Sequence, residues 1–180
     1  MNAVKPVHFS VSQSWDGSPL FPEEGKARFE VRFFQESVQL SVEAPLYGDP
    51  PPPSLPGSTD RLWEYEVVEW FVVGKPAPGS EVPYFELELS PHGHYLALRL
   101  EGVRNRVETL SPLDFTVQRG ENLWQGKALF PRAWLPAEIV SHNAYALHGV
   151  GESRRYLAMN AVPGPAPDFH RLAHFAPFSP

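Results

Sequence analysis

The sequence predicts an all-β protein: a single antiparallel β-sandwich of about nine to eleven short strands, immunoglobulin-like or jelly-roll-like in arrangement. Apolar residues recur at every second position in several short segments, which is the period of a half-buried strand. The 21 prolines and 13 glycines among 180 residues suit a protein with many turns. No segment shows a strong helical period of 3.6 residues.

The predicted strands follow one another along the chain and are separated by turn residues. Residues 28–33 and 38–42 alternate apolar and polar side chains, which predicts two strands joined by a short turn. The proline-rich segment 48–58 can only be a loop. Residues 67–73 form an almost continuous apolar run, which predicts a central strand covered on both faces. The other predicted strands are 85–89, 96–100, 115–117, 125–130, 144–147 and 156–160.

Length and composition limit the classes of function. A chain of 180 residues predicts one domain spanning residues 1–180. The absence of cysteine excludes disulfides, thiolate metal ligands and cysteine catalysis. A net charge of −6 without a basic stripe argues against nucleic acid as a partner. No signal-like or membrane-spanning apolar run is visible, so we expect a soluble cytoplasmic protein with no membrane partner.

A tryptophan and a glutamate near the central strand are the first candidates for a binding site. If the strand extends back to Trp63, residues two apart share a face, and Trp63 and Glu69 project into the same space. An indole ring stacks on the apolar face of a sugar, and a carboxylate accepts hydrogen bonds from its hydroxyl groups. On the residues alone, the simpler interpretation is favoured: Trp63 packs in the core and Glu69 pairs with an arginine.

Glu86 and Glu88 alternate with apolar residues on the next strand. This alternation predicts a polar, solvated sheet face. Two alternatives stay open, since hard cations such as calcium take several carboxylate oxygens and glycosidases use carboxyl pairs. Spacing in the sequence does not distinguish these possibilities.

The histidines give weaker signals. His92 and His94 share a loop and could share a metal, but no third ligand is indicated by spacing. His148 follows a predicted strand and precedes Gly149, a position at a strand end where ligands often bind. Haem would need axial ligands, and Met159 and the histidines show no recognisable pairing. We therefore expect no cofactor, with calcium as the open alternative.

Three segments carry a resemblance to a known family. Residues 62–71 resemble the Trp-acidic-Val-Glu-aromatic strand of family-nine carbohydrate-binding modules and their DOMON-like relatives. Residues 84–93 resemble the strand and Pro-x-Gly turn that follow it, and residues 163–178 resemble the closing Asp-Phe-His segment. An uncharacterised family of stand-alone bacterial and animal proteins is similar along nearly the whole chain. Its shared motifs are Trp15-Asp16-Gly17, Asp49-Pro50-Pro51, residues 62–69, Pro91-His92-Gly93, His148-Gly149 and Pro167-Asp168-Phe169-His170.

The resemblance implies a β-sandwich that binds a small polar ligand without chemistry of its own, with a saccharide as the first candidate. In the modules, a tryptophan and a glutamate six residues further on contact the sugar, and Trp63 and Glu69 match that motif. A second tryptophan near the C-terminus is absent here, and Tyr156 or His148 could take its place. The predicted ligand-binding residues are Trp63, Glu69, Glu86 and His148.

Two other functions stay open at this point. The first is an enzyme that acts on a glycoside or related small molecule through Glu69 with Glu86 or His148. The second is a structural or protein-interaction domain whose acidic face meets a basic partner. The oligomeric state is also open. The C-terminal phenylalanines, Phe169, Phe175 and Phe178, are expected to plug one end of the sandwich.

Overall fold

A computed structural model describes residues 5–178 of the chain, which form two antiparallel sheets packed as a β-sandwich. Four short 3-10 turns interrupt the strands, at Leu62–Glu64, Arg132–Trp134, Gly151–Ser153 and Leu172–His174. None of the helical turns in the described part is long and apolar enough to cross a membrane. The strands are β1 (Val7–Val11), β2 (Gln13–Ser14), β3 (Ala27–Phe33), β4 (Ser37–Pro45), β5 (Val67–Gly74), β6 (Pro83–Leu89), β7 (Tyr95–Glu101), β8 (Arg106–Thr109), β9 (Asp114–Arg119), β10 (Leu123–Pro131), β11 (Ile139–His148), β12 (Arg155–Ala158) and β13 (Ala176–Pro177).

The two sheets differ in size and in what covers them. The smaller sheet has five strands in the order β1-β3-β4-β10-β9. The larger sheet has eight strands, in the order β2-β12-β11-β5-β6-β7-β8, and β13 pairs with β11. The predicted all-β sandwich is thus confirmed, and each predicted strand is present within a few residues.

Four strands lie where the sequence indicates none. β8 is exposed along its whole length, so its side chains show no alternation to detect. β2 and β13 have two residues each, too few to set a period. β1 does alternate Val7, Phe9 and Val11, so the signal is present there but short.

The main core fills the space between the sheets. Alternate residues of β3, β4, β5, β6 and β10 point inward and are buried. Trp70 and Trp124 are the largest side chains in this layer and are 0% and 1% exposed. Because each such ring removes a large apolar area from water, these tryptophans contribute strongly to the stability of the sandwich.

A second apolar layer covers the outer face of the larger sheet. In β5, Val68, Trp70 and Val72 face the main core, whereas Phe71 and Val73 face this second layer. The predicted central strand covered on both faces is therefore confirmed, as all its residues are buried. The second layer also contains Leu62, Tyr84, Leu98, Tyr145, Val162 and Phe175.

The C-terminal phenylalanines do not act together as an end plug. Phe178 enters the main core, where its ring lies 5.9 Å from Phe33 and 6.4 Å from Trp70. Phe175 and Phe169 instead pack on the outer face of the larger sheet. The prediction was wrong for these two, because the segment from residue 160 crosses that face before its end pairs with β11.

The proline-rich loop is held by a buried carboxylate. Glu66 accepts hydrogen bonds from the backbone N–H groups of Tyr47 and Asp49, at 2.8 and 3.0 Å. Asp49 in turn accepts a 2.6 Å hydrogen bond from the N–H of Gly149. These bonds fix the loop against the start of β5 and the end of β11, next to the segment that carries Trp63.

Candidate functional site

A cavity with a volume of about 830 Å³ lies on the outer face of the larger sheet. That size is typical of small-molecule sites. Below, this space is called the outer-face cavity. Its floor comes from β5, β6, β7 and β11, and its walls come from the segment before β5, the β7–β8 turn, the β11–β12 connection and the C-terminal segment. The lining includes Asp60, Trp63, Glu64, Glu69, Phe71, Glu86, Leu98, Arg104, Arg106, Arg154, Tyr156, Phe169 and His170.

A second depression of about 480 Å³ lies on the outer face of the smaller sheet. Its lining is mainly polar, and Phe29 is its one aromatic side chain. Arg28 and Glu43 in this depression pair with each other at 3.3 Å. With no aromatic wall and with charges already paired, it is the weaker candidate for a ligand site.

Three of the four predicted site residues meet in the outer-face cavity: Trp63, Glu69 and Glu86. Trp63 is 41% exposed, so it does not pack in the core. It lies in the 3-10 turn Leu62–Glu64, because β5 begins only at Val67. The extended backbone that placed Trp63 and Glu69 on one strand face is thus absent, yet both residues line the same space.

His148 lies apart from the other three. Its Nε2 atom is 3.2 Å from a carboxylate oxygen of Glu24, and its ring stacks on Tyr47 with centroids 3.5 Å apart. Glu24 also accepts hydrogen bonds from Arg155, the shorter at 2.7 Å. Burial lowers the pKa of His148, although the bond to Glu24 opposes that shift. This cluster ties the segment before β3 to β11 and β12.

Glu69, Glu86 and Glu88 form a buried group, called here the glutamate trio. They are 2%, 4% and 0% exposed. Glu69 pairs with Glu88 across β5 and β6, and Glu86 lies two residues from Glu88 on the same face. The expectation that Glu86 and Glu88 lie on a solvated face was wrong, because the second apolar layer covers that face. The sequence could not show this cover, since it comes from segments distant along the chain.

Burial changes the protonation of the glutamate trio. Loss of hydration raises the pKa of Glu86 to about 7. It also raises the pKa values of Glu69 and Glu88 well above the ordinary value, and repulsion between the carboxylates adds to the shift. At neutral pH the trio therefore retains protons, so Glu69 and Glu86, which line the cavity floor, offer hydroxyl donors as well as acceptors.

The metal interpretations find no matching geometry in the described part of the chain. Between residues 5 and 178, no group of three or more His, Asp or Glu side chains is placed to hold a metal ion together. His92 lies with Nε2 3.1 Å from the carbonyl oxygen of Asp49, whereas His94 bonds to the Thr59 hydroxyl at 2.9 Å. The two histidines thus have separate partners.

Aromatic side chains form much of the cavity wall. Trp63, Phe71, Tyr156 and Phe169 all line it. Tyr156 is one of the two residues that the sequence offered in place of a second tryptophan. Phe169 was missed as a site residue, although its motif with Asp168 and His170 was noted. Its ring stacks flat on Tyr145, with centroids 3.9 Å apart, which fixes its orientation.

Arg154 braces the segment that carries Trp63. Its guanidinium donates hydrogen bonds to the carbonyl oxygens of Trp63 and Tyr65, at 2.7 and 2.8 Å, and to that of Gly149 at 3.0 Å. It also lies 5.8 Å from the centre of the Tyr156 ring. One planar side chain therefore joins two walls of the cavity. No spacing in the sequence indicates this role, since Trp63 and Tyr65 are about 90 positions away from Arg154.

Arg154→Lys tests this brace. An ammonium group cannot reproduce the fork that reaches three carbonyl oxygens, so we expect a loss of about 1–3 kcal/mol in the free energy of unfolding. Urea denaturation measures the loss, and faster amide hydrogen exchange in residues 61–66 locates it. Arg28→Lys, on the smaller sheet, serves as the control and should change stability by less than about 0.5 kcal/mol. Equal losses in the two variants would contradict the assigned role.

Two ion pairs close the rim of the cavity. Arg104 bonds to Asp168 at 2.8 Å, which joins the β7–β8 turn to the C-terminal segment. Arg106 bonds to Asp60 at 2.7 Å, which joins β8 to the segment before β5. Arg104 has a left-handed backbone with φ of 60°, a costly conformation for a residue with a side chain. Its N–H donates to the Tyr84 hydroxyl at 2.9 Å, which helps to hold that conformation.

Comparison with other proteins places the chain in a family. No family model matches it. It is 38% identical over 181 aligned residues to the mouse (Mus musculus) UPF0462 protein C4orf33 homolog, covering 96% of this chain and 91% of that protein. Identity is 37% to the human (Homo sapiens) UPF0462 protein C4orf33 and 35% to the zebrafish (Danio rerio) homolog, again over 96% of this chain, with 88% and 89% of those proteins covered.

Two solved structures resemble the chain to different degrees. A candidate carbohydrate-binding protein from Bacteroides uniformis aligns with a TM-score of 0.70 and 16% identity, over 95% of this chain and 84% of that chain. A family 9 carbohydrate-binding module from Caldicellulosiruptor kristjanssonii, in complex with glucose, aligns with a TM-score of 0.40 and 12% identity, over 74% of this chain and 66% of that chain. The first likeness shows a shared sandwich fold, and the second is too low to support an argument.

Proposed function

Given that the chain belongs to the UPF0462 family, we propose that it binds a small saccharide in the outer-face cavity without performing chemistry on it. The observation that supports this proposal is the joint presence of an exposed tryptophan and buried carboxyl groups in one cavity. Trp63 is 41% exposed there, and Glu69 and Glu86 lie on the floor. The structural neighbour from Bacteroides uniformis, a candidate carbohydrate-binding protein, agrees with it.

In this proposal the walls of the cavity contact the apolar face of the sugar, and the floor forms hydrogen bonds with its hydroxyl groups. The indole of Trp63 and the ring of Phe169 offer apolar faces to the C–H surface of a pyranose. Carboxyl groups that carry protons at neutral pH can donate to a sugar hydroxyl, and ionised ones can accept from it. A mixture of donors and acceptors suits a sugar ring, because each sugar hydroxyl can both donate and accept a hydrogen bond.

The affinity should be modest. Stacking on one or two rings and a few hydrogen bonds must offset the loss of translational and rotational freedom of the ligand. The brace of Arg154 on the Trp63 carbonyl reduces the cost of ordering that wall, since the wall is already held before a ligand arrives.

Isothermal titration against a panel of monosaccharides and disaccharides tests the proposal. We expect at least one saccharide to bind with a dissociation constant in the range of about 10 μM to 10 mM. Polyols of similar size but without a ring, such as sorbitol, are the control and should bind more weakly. Absence of binding across the panel at concentrations of tens of millimolar would overturn the proposal.

A glycoside-processing enzyme is the second candidate, and one observation favours it. Glu69 and Glu86 line the same cavity, and burial raises the pKa of Glu86 to about 7, where a general acid can work at neutral pH. His148 does not line the cavity, so a partnership of Glu69 with His148 lacks support. Release of nitrophenol from nitrophenyl glycosides, lost in Glu86→Gln, would favour the enzyme; no release would favour binding alone.

The third function left open by the sequence, a protein-interaction domain, predicts a filled sheet face. The outer face of the larger sheet instead contains the cavity of about 830 Å³. The absence of a basic stripe in the sequence continues to argue against nucleic acid as a partner. The cytoplasmic location stays a prediction, and the oligomeric state stays open.

A further inference from the structure

Within residues 5–178, no cationic group lies at ion-pair distance from Glu86 or Glu69 on the floor of the outer-face cavity, and Arg104, Arg106 and Arg154 act on them only from farther away. Glu86 is 4% exposed and lines the cavity, and its Oε2 atom has no hydrogen-bond partner within residues 5–178. Glu88, next to it on the same face, has neither oxygen partnered in that part of the chain. Buried carboxyl groups are normally paired with a cation or with several donors, because loss of hydration is costly.

The arginines that line the cavity bond to other groups. Arg104 pairs with Asp168, and Arg106 pairs with Asp60. The guanidinium of Arg154 donates hydrogen bonds to three backbone carbonyl oxygens, and an Asp49 carboxylate oxygen lies 4.0 Å from it. The guanidinium groups at the rim are thus already bonded to other residues. The carboxyl groups of the floor are therefore available to a group that enters the cavity.

The walls suit a cation as well. Trp63, Phe71, Tyr156 and Phe169 line the cavity, and the face of an aromatic ring attracts a positive charge. An ammonium group provides three N–H donors, enough to reach more than one carboxylate oxygen. A neutral sugar hydroxyl provides one donor and brings no positive charge to the carboxyl groups.

We propose that the saccharide bound in the outer-face cavity is an amino sugar with a free, positively charged amino group, which Glu86 and Glu69 receive while Trp63 contacts the sugar ring. This inference rests on the proposed saccharide-binding function and narrows its ligand class. A bound ammonium group favours the ionised form of the carboxyl groups beside it, and the resulting charge-assisted hydrogen bonds are about twice as strong as neutral ones.

Matched ligand sets test the inference by isothermal titration. Each set contains a hexosamine, its parent hexose and its N-acetyl derivative: the glucose and galactose series are used. We expect the hexosamine of at least one set to bind at least about tenfold more tightly than both of the others. Ethanolamine, an amine without a sugar ring, should bind much more weakly than the hexosamine.

Single substitutions test which carboxyl groups cause the preference for a hexosamine over its parent hexose. Glu86→Gln should reduce the hexosamine preference to less than about threefold while binding of the parent hexose changes little. If Glu86→Gln does not fold, Glu69→Gln is measured in its place. Glu43→Gln, in the depression on the smaller sheet, is the control and should keep the full preference.

The possible outcomes separate this inference from the proposed function. Binding of hexose and hexosamine with equal affinity would overturn the inference and leave saccharide binding intact. Persistence of the preference in both Glu86→Gln and Glu69→Gln would also overturn it. Ethanolamine that binds as tightly as the hexosamine would overturn it, since the amine alone would then be recognised. Absence of binding by every sugar would overturn both proposals.

Discussion

Glu86→Gln is expected to become more stable relative to the wild-type protein as the pH rises from about 4.5 to about 7. Burial raises the pKa of Glu86 to about 7 in the folded protein, whereas the unfolded chain releases this proton near pH 4.5. Between these values the unfolded state binds fewer protons than the folded state, so the wild type loses stability as the pH rises. A glutamine has no proton to release and avoids that loss.

The size of the change follows from the same shift. About 2.5 pH units of difference correspond to a relative gain on the order of 3 kcal/mol for the variant between pH 4.5 and 7.5. Urea denaturation at several pH values measures it, with each variant compared with the wild type at the same pH so that other groups cancel.

Glu24→Gln provides a control of the opposite sign. Burial opposes ionisation of Glu24, but the bonds from Arg155 and from the Phe21 N–H outweigh it and lower its pKa. Its contribution to stability is therefore lost as the pH falls below about 4.5, and the wild type should lose its advantage over this variant there. A Glu86→Gln difference that is flat between pH 4.5 and 7.5 would contradict the assignment of Glu86 as a buried, proton-holding group.

Trp63→Ala is expected to weaken saccharide binding by at least about tenfold, to the point where titration no longer detects it for a weak ligand. The indole is exposed at the cavity wall, where it offers an apolar face to the ligand. Stability should change by less than about 1 kcal/mol, because the side chain is 41% exposed and lies outside both apolar layers. Titration calorimetry and urea denaturation measure the two effects separately.

Phe34→Ala is the matched control for this change. Phe34 is 48% exposed and lies in the turn between β3 and β4, on the smaller sheet. The substitution Phe34→Ala removes an aromatic ring whose exposure is similar to that of Trp63 and which is remote from the outer-face cavity. Binding that survives Trp63→Ala unchanged, or that falls equally in Phe34→Ala, would contradict the proposed site.

Much of the fold follows from local patterns in the sequence. The alternation in residues 28–33 and the apolar run from Val67 directly reflect which faces of a strand are buried. The patterns fail where burial depends on distant segments. Glu86 and Glu88 have the alternation of a solvated strand, and segments distant along the chain, among them the C-terminal segment and the one before β5, turn that face into an interior.

In the candidate site, too, local patterns indicate some residues, whereas the roles of others depend on distant segments of the chain. Trp63 and Glu69 were predicted from their spacing and from the resemblance, and Glu86 from the alternation along its strand, but none of these signals gave the setting of the side chains. His148 has the same residue type and strand-end position that the argument required, yet its ring stacks on Tyr47 outside the cavity. Arg154 and Phe169 carry no local signal for a site, because their roles arise from bonds and stacking with residues far along the chain.

The indole N–H resonances of the protein provide the most direct test of the outer-face cavity as a saccharide site. Trp63 lies at its wall, whereas Trp124 is 1% exposed between the sheets. In a proton–nitrogen NMR titration with the hexose and hexosamine panel, with Trp63→Phe used for assignment, the Trp63 indole signal should shift in a saturable manner and the Trp124 signal should stay in place. A Trp63 signal that does not move at saturating saccharide, or at tens of millimolar of every sugar tested, would contradict the proposed function.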